Sequence, residues 1–217
     1  MSDLNLEYLI RKPANNLVKP PLLIMLHGYG SNEQDLFSFA QELPSELLIL
    51  SVRAPLSLGF GSYAWYSINF EADRNNFSNL EEANAALKEI DRFVDGALTK
   101  YEPDPARIFL MGFSQGTILS LAYALNHPGK IQHVIALSGY VNEKLLKTPL
   151  EASAHKDLDV FASHGSADQV IPVEWARRTP EFLKKLKIQH EYKEYPVGHG
   201  VAPQNFFDLL SWIRKRL

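Results

Sequence analysis

The chain has 217 residues, 46% apolar and 22% charged, with 12 Gly and 13 Pro. That is the make-up of one globular domain able to bury its own core, and it excludes a disordered tail, a collagen-like rod and a coiled coil. Lys and Arg number 22 against 25 Asp and Glu, a formal charge of −3 with no Cys at all, so a nucleic-acid footprint, disulfides, thiolate nucleophiles and Cys-ligated metals are excluded.

In chain order, Met1–Glu7 has neither the basic nor the apolar region of a secretory signal, and no apolar run is long enough to span a bilayer. The expected address is cytoplasmic, with no integral membrane association. Leu22–Leu26, after Pro20-Pro21, and Leu47–Val52 are short, continuous apolar bursts that read as strands buried on both faces. Residues 54–78 then form a long connection with Phe60, Tyr63, Trp65, Tyr66, Phe70 and Phe77, expected to be a structureless binding wall. A capping box at Ser78 and Glu81 opens a helix whose apolar face is Leu80, Ala83, Leu87, Ile90 and Val94. A strand at Ile108–Met111 precedes a helix over residues 115–126, stopped by Pro128-Gly129. Strands follow at His133–Leu137 and Val160–Ala162, separated by a second long connection, 139–158. Pro180 interrupts a helical pattern over 173–187, as a kink or a restart, His190–Tyr195 is a charged strand, and Pro203 begins a last helix facing inward through Phe206, Phe207, Leu210 and Ile213. Strand-then-helix alternation predicts an α/β fold, a mostly parallel sheet with helices on both faces. No repeat or linker divides residues 1–217, which read as a single domain.

Gly112-Phe113-Ser114-Gln115-Gly116 fits G-x-S-x-G at a strand-to-helix junction, the turn that lifts a serine oxygen out of a sheet. Its glycines leave room for the neighbouring strand and helix. A serine hydroxyl needs a base held by an acid, here expected in the order Ser, Asp or Glu, His. Of the histidines past the nucleophile, His199 stands between glycines directly after a strand, where catalytic groups of open α/β sheets collect. His190 lies in the charged strand and His155 in a polar loop, while His164 also ends a strand. Asp168 follows a strand end and precedes His199 by one helix and one strand, which brings both to the same sheet edge. Asp157 and Asp159 precede that strand, and Asp208 falls within the last helix. The loop Leu26-His27-Gly28-Tyr29-Gly30 offers backbone donors for an oxyanion. The N–H groups of Tyr29 and Gln115 are the expected pair, their side chains mattering less, and His27 is expected to bond local main chain.

LHGYG at 26–30, RAP at 53–55, WY at 65–66, GFSQG at 112–116, ALSGY at 136–140, HGSADQVIP at 164–172 and YPVGH at 195–199 occur in this order. From about residue 20 onward the chain thereby resembles the small carboxylesterase/acyl-protein thioesterase family, the phospholipase/carboxylesterase group of the α/β-hydrolase fold. The resemblance implies that fold without a large cap domain, a triad of Ser114, Asp168 and His199, and an oxyanion hole at Tyr29 and Gln115. It implies a serine hydrolase of carboxylic esters of short to medium acyl chains, working through an acyl-enzyme with no metal and no cofactor, with a thioesterase or lysophospholipase of long acyl chains as the alternative. A homodimer is suggested by the resemblance alone. A different class, a non-catalytic ligand-binding hydrolase fold, would require a damaged triad. Tyr29, Trp65, Tyr66, Tyr140 and Val170 are the expected substrate contacts. Tyr29 and Thr117 stand where the family usually has Leu and often Gly, departures that bear on substrate choice.

Overall fold

The computed structural model describes residues 4–14, 17–68 and 79–217, so Phe70, Phe77 and Ser78 lie outside the described residues. The elements run β1 (Tyr8–Arg11), β2 (Leu22–Leu26), α1 (Gln34–Phe37), β3 (Leu48–Val52), β4 (Leu56–Gly59), β5 (Ser62–Ala64) and α2 (Leu80–Tyr101). They continue as β6 (Ile108–Phe113), α3 (Gln115–Asn126), β7 (His133–Leu137), β8 (Asp159–Gly165), α4 (Val173–Ala176), α5 (Arg178–Lys185), β9 (Gln189–Tyr195) and α6 (Pro203–Arg214).

Among the described residues, seven strands form one sheet in the order β1-β3-β2-β6-β7-β8-β9. The pair β1–β3 is antiparallel and every other pair is parallel. Alternation along each apolar burst splits the core into two layers. Leu22, Ile24, Leu26, Leu110, Val134 and Val160 pack beneath α2 and α3. Leu23, Met25, Phe109, Met111, Ile135 and Phe161 pack against α1 and α6. Both faces of a parallel sheet are thus covered, which is why its strands carry no polar alternation. From β2 the chain moves to β3 on one side, and from β6 onward it builds the other side. The carboxyl ends of β2 and β6 therefore flank the crevice where such sheets bind ligands.

The structure corrects several local expectations. Helix α2 is capped by Asn79, whose side chain accepts the Glu82 N–H at 3.2 Å. Each of Ser78 and Asn79 has a glutamate three residues on, so sequence cannot separate them. On α6 the buried face is Phe206, Leu209, Trp212 and Ile213, whereas Phe207 is 60% exposed and Leu210 half-buried. Apolar residues at 206, 207, 209, 210, 212 and 213 allow either phase, and packing on Phe109 and Phe161 selects one. Residues 54–68 are not structureless: β4 and β5 pair as a small antiparallel ribbon, with Phe60 fully exposed at its tip. The 139–158 connection holds two 3-10 turns, Glu143–Leu145 and Ala152–His155. Of the kink or restart expected at Pro180, the restart is what occurs: α5 begins at Arg178 and Pro180 sits in its first turn, where a backbone donor has no partner to lose. No helix among the described residues is long and apolar enough to cross a membrane.

Candidate active site

Ser114 joins β6 to α3 with φ +54° and ψ −113°, a conformation that a non-glycine residue holds only at a cost. Its N–H donates to the Leu137 carbonyl at 2.9 Å, which fixes the turn to β7. A Cβ at Gly116 would lie 2.0 Å from the Leu26 carbonyl oxygen, and one at Gly112 would lie 2.4 Å from the Gly116 backbone. Strand, turn and helix can approach this closely only without those side chains. Thr117 braces the turn, its hydroxyl 2.6 Å from both the Gly112 and Leu137 carbonyls.

The structure brings Ser114, His199 and Asp168 together. His199 Nδ1–H donates to Asp168 Oδ2 at 2.7 Å, and the Ser114 hydroxyl donates to His199 Nε2 at 2.9 Å. Asp168 is wholly buried, and its Oδ1 accepts the N–H groups of Val170 and Ile171 at 2.8 and 2.9 Å. The loops carrying Asp168 and His199 are zipped together. Ser166 N–H donates to Tyr195 O at 2.7 Å and Ala167 N–H to Val197 O at 3.0 Å. A Cβ at Gly165 would stand 2.1 Å from Gly198 O. The Phe113 ring lies 5.0 Å from that of His199 and limits its swing.

The loop after β2 stands against the serine: a Cβ at Gly28 would lie 3.4 Å from Ser114 Cβ. Its shape is held by Gly30 N–H donating to Tyr63 O at 2.9 Å, with Tyr29 half-buried between Gly28 and Gly30. Gln115 is the first residue of α3, so its N–H has no acceptor within the helix. His27 bonds local main chain, donating from Nδ1 to Gly28 O at 2.7 Å and accepting the Ala54 N–H at Nε2 at 3.1 Å. Burial pushes its pKa down, which favours this neutral ring.

Two features had no signal in the sequence. The Gln115 side chain is not incidental: its Oε1 accepts the Trp65 N–H and its Nε2 donates to Tyr66 O, both at 2.8 Å. Glu33 is buried in a two-point ion pair with Arg53, at 2.6 and 2.7 Å, and Arg53 also pairs with Glu7. The Arg53 guanidinium holds the Glu33 carboxyl below its ordinary range.

Among the expected substrate contacts, Trp65 and Tyr66 are each only 1% exposed. They lie under the surface rather than on a wall, and Trp65 Nε1–H donates to His27 O at 2.9 Å. Gln115 and His27 supply the polar partners that drew these residues inward. Tyr140 is half-buried with its ring edge-on to Trp175 at 5.1 Å, and Val170 is 57% exposed beside Asp168. His155 is not in an open loop but buried, its ring nitrogens 2.8 and 2.9 Å from the Glu151 and Leu125 carbonyls. His190 is half-buried on β9. Asp159 lies at the opposite sheet edge in an ion pair with Arg216, and Asp208 on α6 accepts from Tyr195 Oη at 2.7 Å. Among the described residues, no group of three or more His, Asp or Glu is placed to hold a metal ion.

The family model described as Phospholipase/Carboxylesterase matches residues 12–217. The chain is 28% identical over 235 residues to acyl-protein thioesterase 1 of Mycosarcoma maydis, covering 97% of each. It is 30% identical over 210 residues to carboxylesterase SOBER1 of Arabidopsis thaliana, covering 90% of each. The crystal structure of the Bacillus cereus carboxylesterase superposes with a TM-score of 0.82 at 22% identity, over 98% of this chain and 95% of that one, a likeness of fold. The chain belongs to the phospholipase/carboxylesterase family of the α/β-hydrolase fold.

Proposed function

We propose that this protein is a serine hydrolase of carboxylic esters, with Ser114 as nucleophile, His199 as general base and Asp168 as the acid that orients it. The observation that carries the reading is the unbroken relay from Ser114 Oγ to His199 Nε2 at 2.9 Å and from Nδ1 to Asp168 Oδ2 at 2.7 Å. Ser114 attacks the acyl carbon while His199 takes its proton, then returns it to the leaving alcohol. The acyl-enzyme breaks down by the reverse sequence with water. Asp168 keeps the proton on Nδ1 and stabilises the imidazolium. The N–H groups of Tyr29 and Gln115 face the developing oxyanion, each donor worth about 3–4 kcal/mol in a site of this kind. Tyr29, Tyr140 and Val170 border the substrate in this reading.

Thioester cleavage is the second reading, favoured by the relative named acyl-protein thioesterase 1. Initial rates on p-nitrophenyl esters of rising acyl length, beside a palmitoyl thioester, separate the two. A short-chain peak marks a small-ester carboxylesterase, and a long-chain peak with thioester cleavage marks a deacylase. Ser114→Ala is expected to abolish both turnover and covalent labelling by a fluorophosphonate, with an unchanged circular dichroism spectrum. Turnover that survives in that variant would discard the assignment. A single domain over 1–217, action in the cytoplasm and a homodimer complete the reading; sedimentation of the purified chain tests the last.

A further inference from the structure

The Asp168 carboxylate touches one side chain that has no part in the relay. On Oδ2, beside His199 Nδ1, lies the Nε2 of His164 at 3.2 Å, both side chains fully buried. The same Nε2 is 2.8 Å from the Ile171 carbonyl oxygen. Both neighbours are acceptors, so Nε2 carries the proton; it donates to the Ile171 carbonyl, and Oδ2 lies beside it as an electrostatic contact. The other nitrogen, Nδ1, is buried without a hydrogen-bond partner. A hydrocarbon side chain would fill this space without stranding a nitrogen, so the useful part of the ring is its Nε2–H.

What this contact supplies differs from what the hydrogen-bond donors to Asp168 supply. Val170 and Ile171 belong to the same loop as Asp168 and move with it. His164 belongs to β8 and is paired in register with Glu194 on β9. It ties the end of the Asp168 loop to the sheet and stands against the carboxylate. Glu194 itself is engaged at 2.8 Å by Arg177 Nε and Nη2 and at 3.0 Å by Tyr192 Oη.

We infer that His164 is a positioning residue of the hydrolytic relay: its Nε2–H, bonded to the Ile171 carbonyl and in contact with Oδ2, holds the Asp168 loop so that Oδ2 stays on His199. The inference rests on the assignment of Ser114, His199 and Asp168 made above. Without this N–H the Ile171 carbonyl loses its tie to β8 and Oδ2 loses the positive end of a buried dipole, so its full charge acts on the imidazolium.

The test compares wild type, His164→Leu, His164→Gln and Ser114→Ala on p-nitrophenyl butyrate, with active sites counted by fluorophosphonate titration. His164→Leu is expected to lower kcat on the order of tenfold with KM little changed. The acidic limb of kcat/KM should move up by about 0.5 pH unit. In His164→Gln the amide Nε2 reaches the place of the ring Nε2, and the wild-type limb should return. A purely structural role would change stability and leave the limb in place. His164→Leu with full active-site titre, kcat within about twofold and an unmoved limb overturns the inference. So does a folded His164→Gln whose limb or kcat departs from wild type. Should neither variant fold, nitrogen-15 spectra of the wild-type imidazoles decide: a proton on Nε2 of His164 supports the inference, and one on Nδ1 refutes it. If Ser114 takes no label in the wild type, the relay assignment has failed. If labelling and Ser114→Ala behave as expected while the His164 variants are neutral, only this inference has failed.

Discussion

His133, at the amino end of β7, shows what burial does to a single titratable side chain. Its ring lies 4.5 Å from that of Phe109 and 5.9 Å from that of Trp212, and burial pushes its pKa down to about 4. An unfolded histidine titrates near 6.5. As pH falls, the unfolded chain therefore takes the proton first, and stability that is complete above about pH 6.5 is lost progressively toward pH 4. His133→Phe keeps the ring stack and removes the titration. Urea unfolding at pH 7.5 and 4.5 should then show the variant gaining about 2 kcal/mol on wild type as pH drops. Parallel losses in both proteins would mean that another group governs the acid limb. Glu33 carries the opposite sign. Held low by Arg53, its carboxyl contributes stability above the unfolded value near 4.3, lost as pH falls through its lower folded one. Glu33→Gln is expected to cost about 2 kcal/mol at pH 7, because Arg53 loses its buried partner and keeps the exposed Glu7 and the face of Tyr63, and the gap should close below about pH 4. A gap that persists at pH 3 would assign the loss to packing instead.

Apart from the charged edge strand β9, strands were legible in proportion to how much apolar surface they bury on their own. The strands β2, β3, β6, β7 and β8 are buried along nearly their whole length, and continuous apolar bursts revealed them. The edge strand β1 is only half-buried, and β4 and β5 form a separate ribbon, so neither produced a pattern. Helix α3 shows the limit differently: every residue from Gln115 to Leu125 is buried, polar ones included, because it lies between the sheet and α2. Periodicity found its apolar positions but could not reveal that Gln115 and Thr117 are buried and bonded to neighbouring main chain. Ser114, Asp168 and His199 were legible because each stands just past a strand end, in the chain order this fold imposes. The roles of Trp65 and Tyr66 were not, because an aromatic on a long connection reads the same whether it faces out or in. The buried tie from Gln115 makes the difference, across some fifty residues of sequence.

At the scale of the molecule, the sheet separates chemistry from support. The carboxyl ends of β2, β6, β8 and β9 hold the residues assigned to catalysis. The opposite edge holds the Arg216–Asp159 and Arg107–Asp104 pairs and His133. Within the site the coupling is uneven. Asp168 and His199 sit on loops from adjacent strands, pressed together where Gly165 meets Gly198, whereas Ser114 rides on β6, across β7. The acid–base couple is therefore one rigid half of a clutch, and the serine is the other. On gentle warming the halves should disengage before either comes apart. Labelling of Ser114 is expected to slow while the downfield Nδ1–H proton of His199 is still visible by NMR, and to recover on cooling. Loss of that proton first would reverse the order. A clutch that slips in this way gives an idle enzyme, chemically complete and mechanically disconnected, at temperatures where the fold itself is intact.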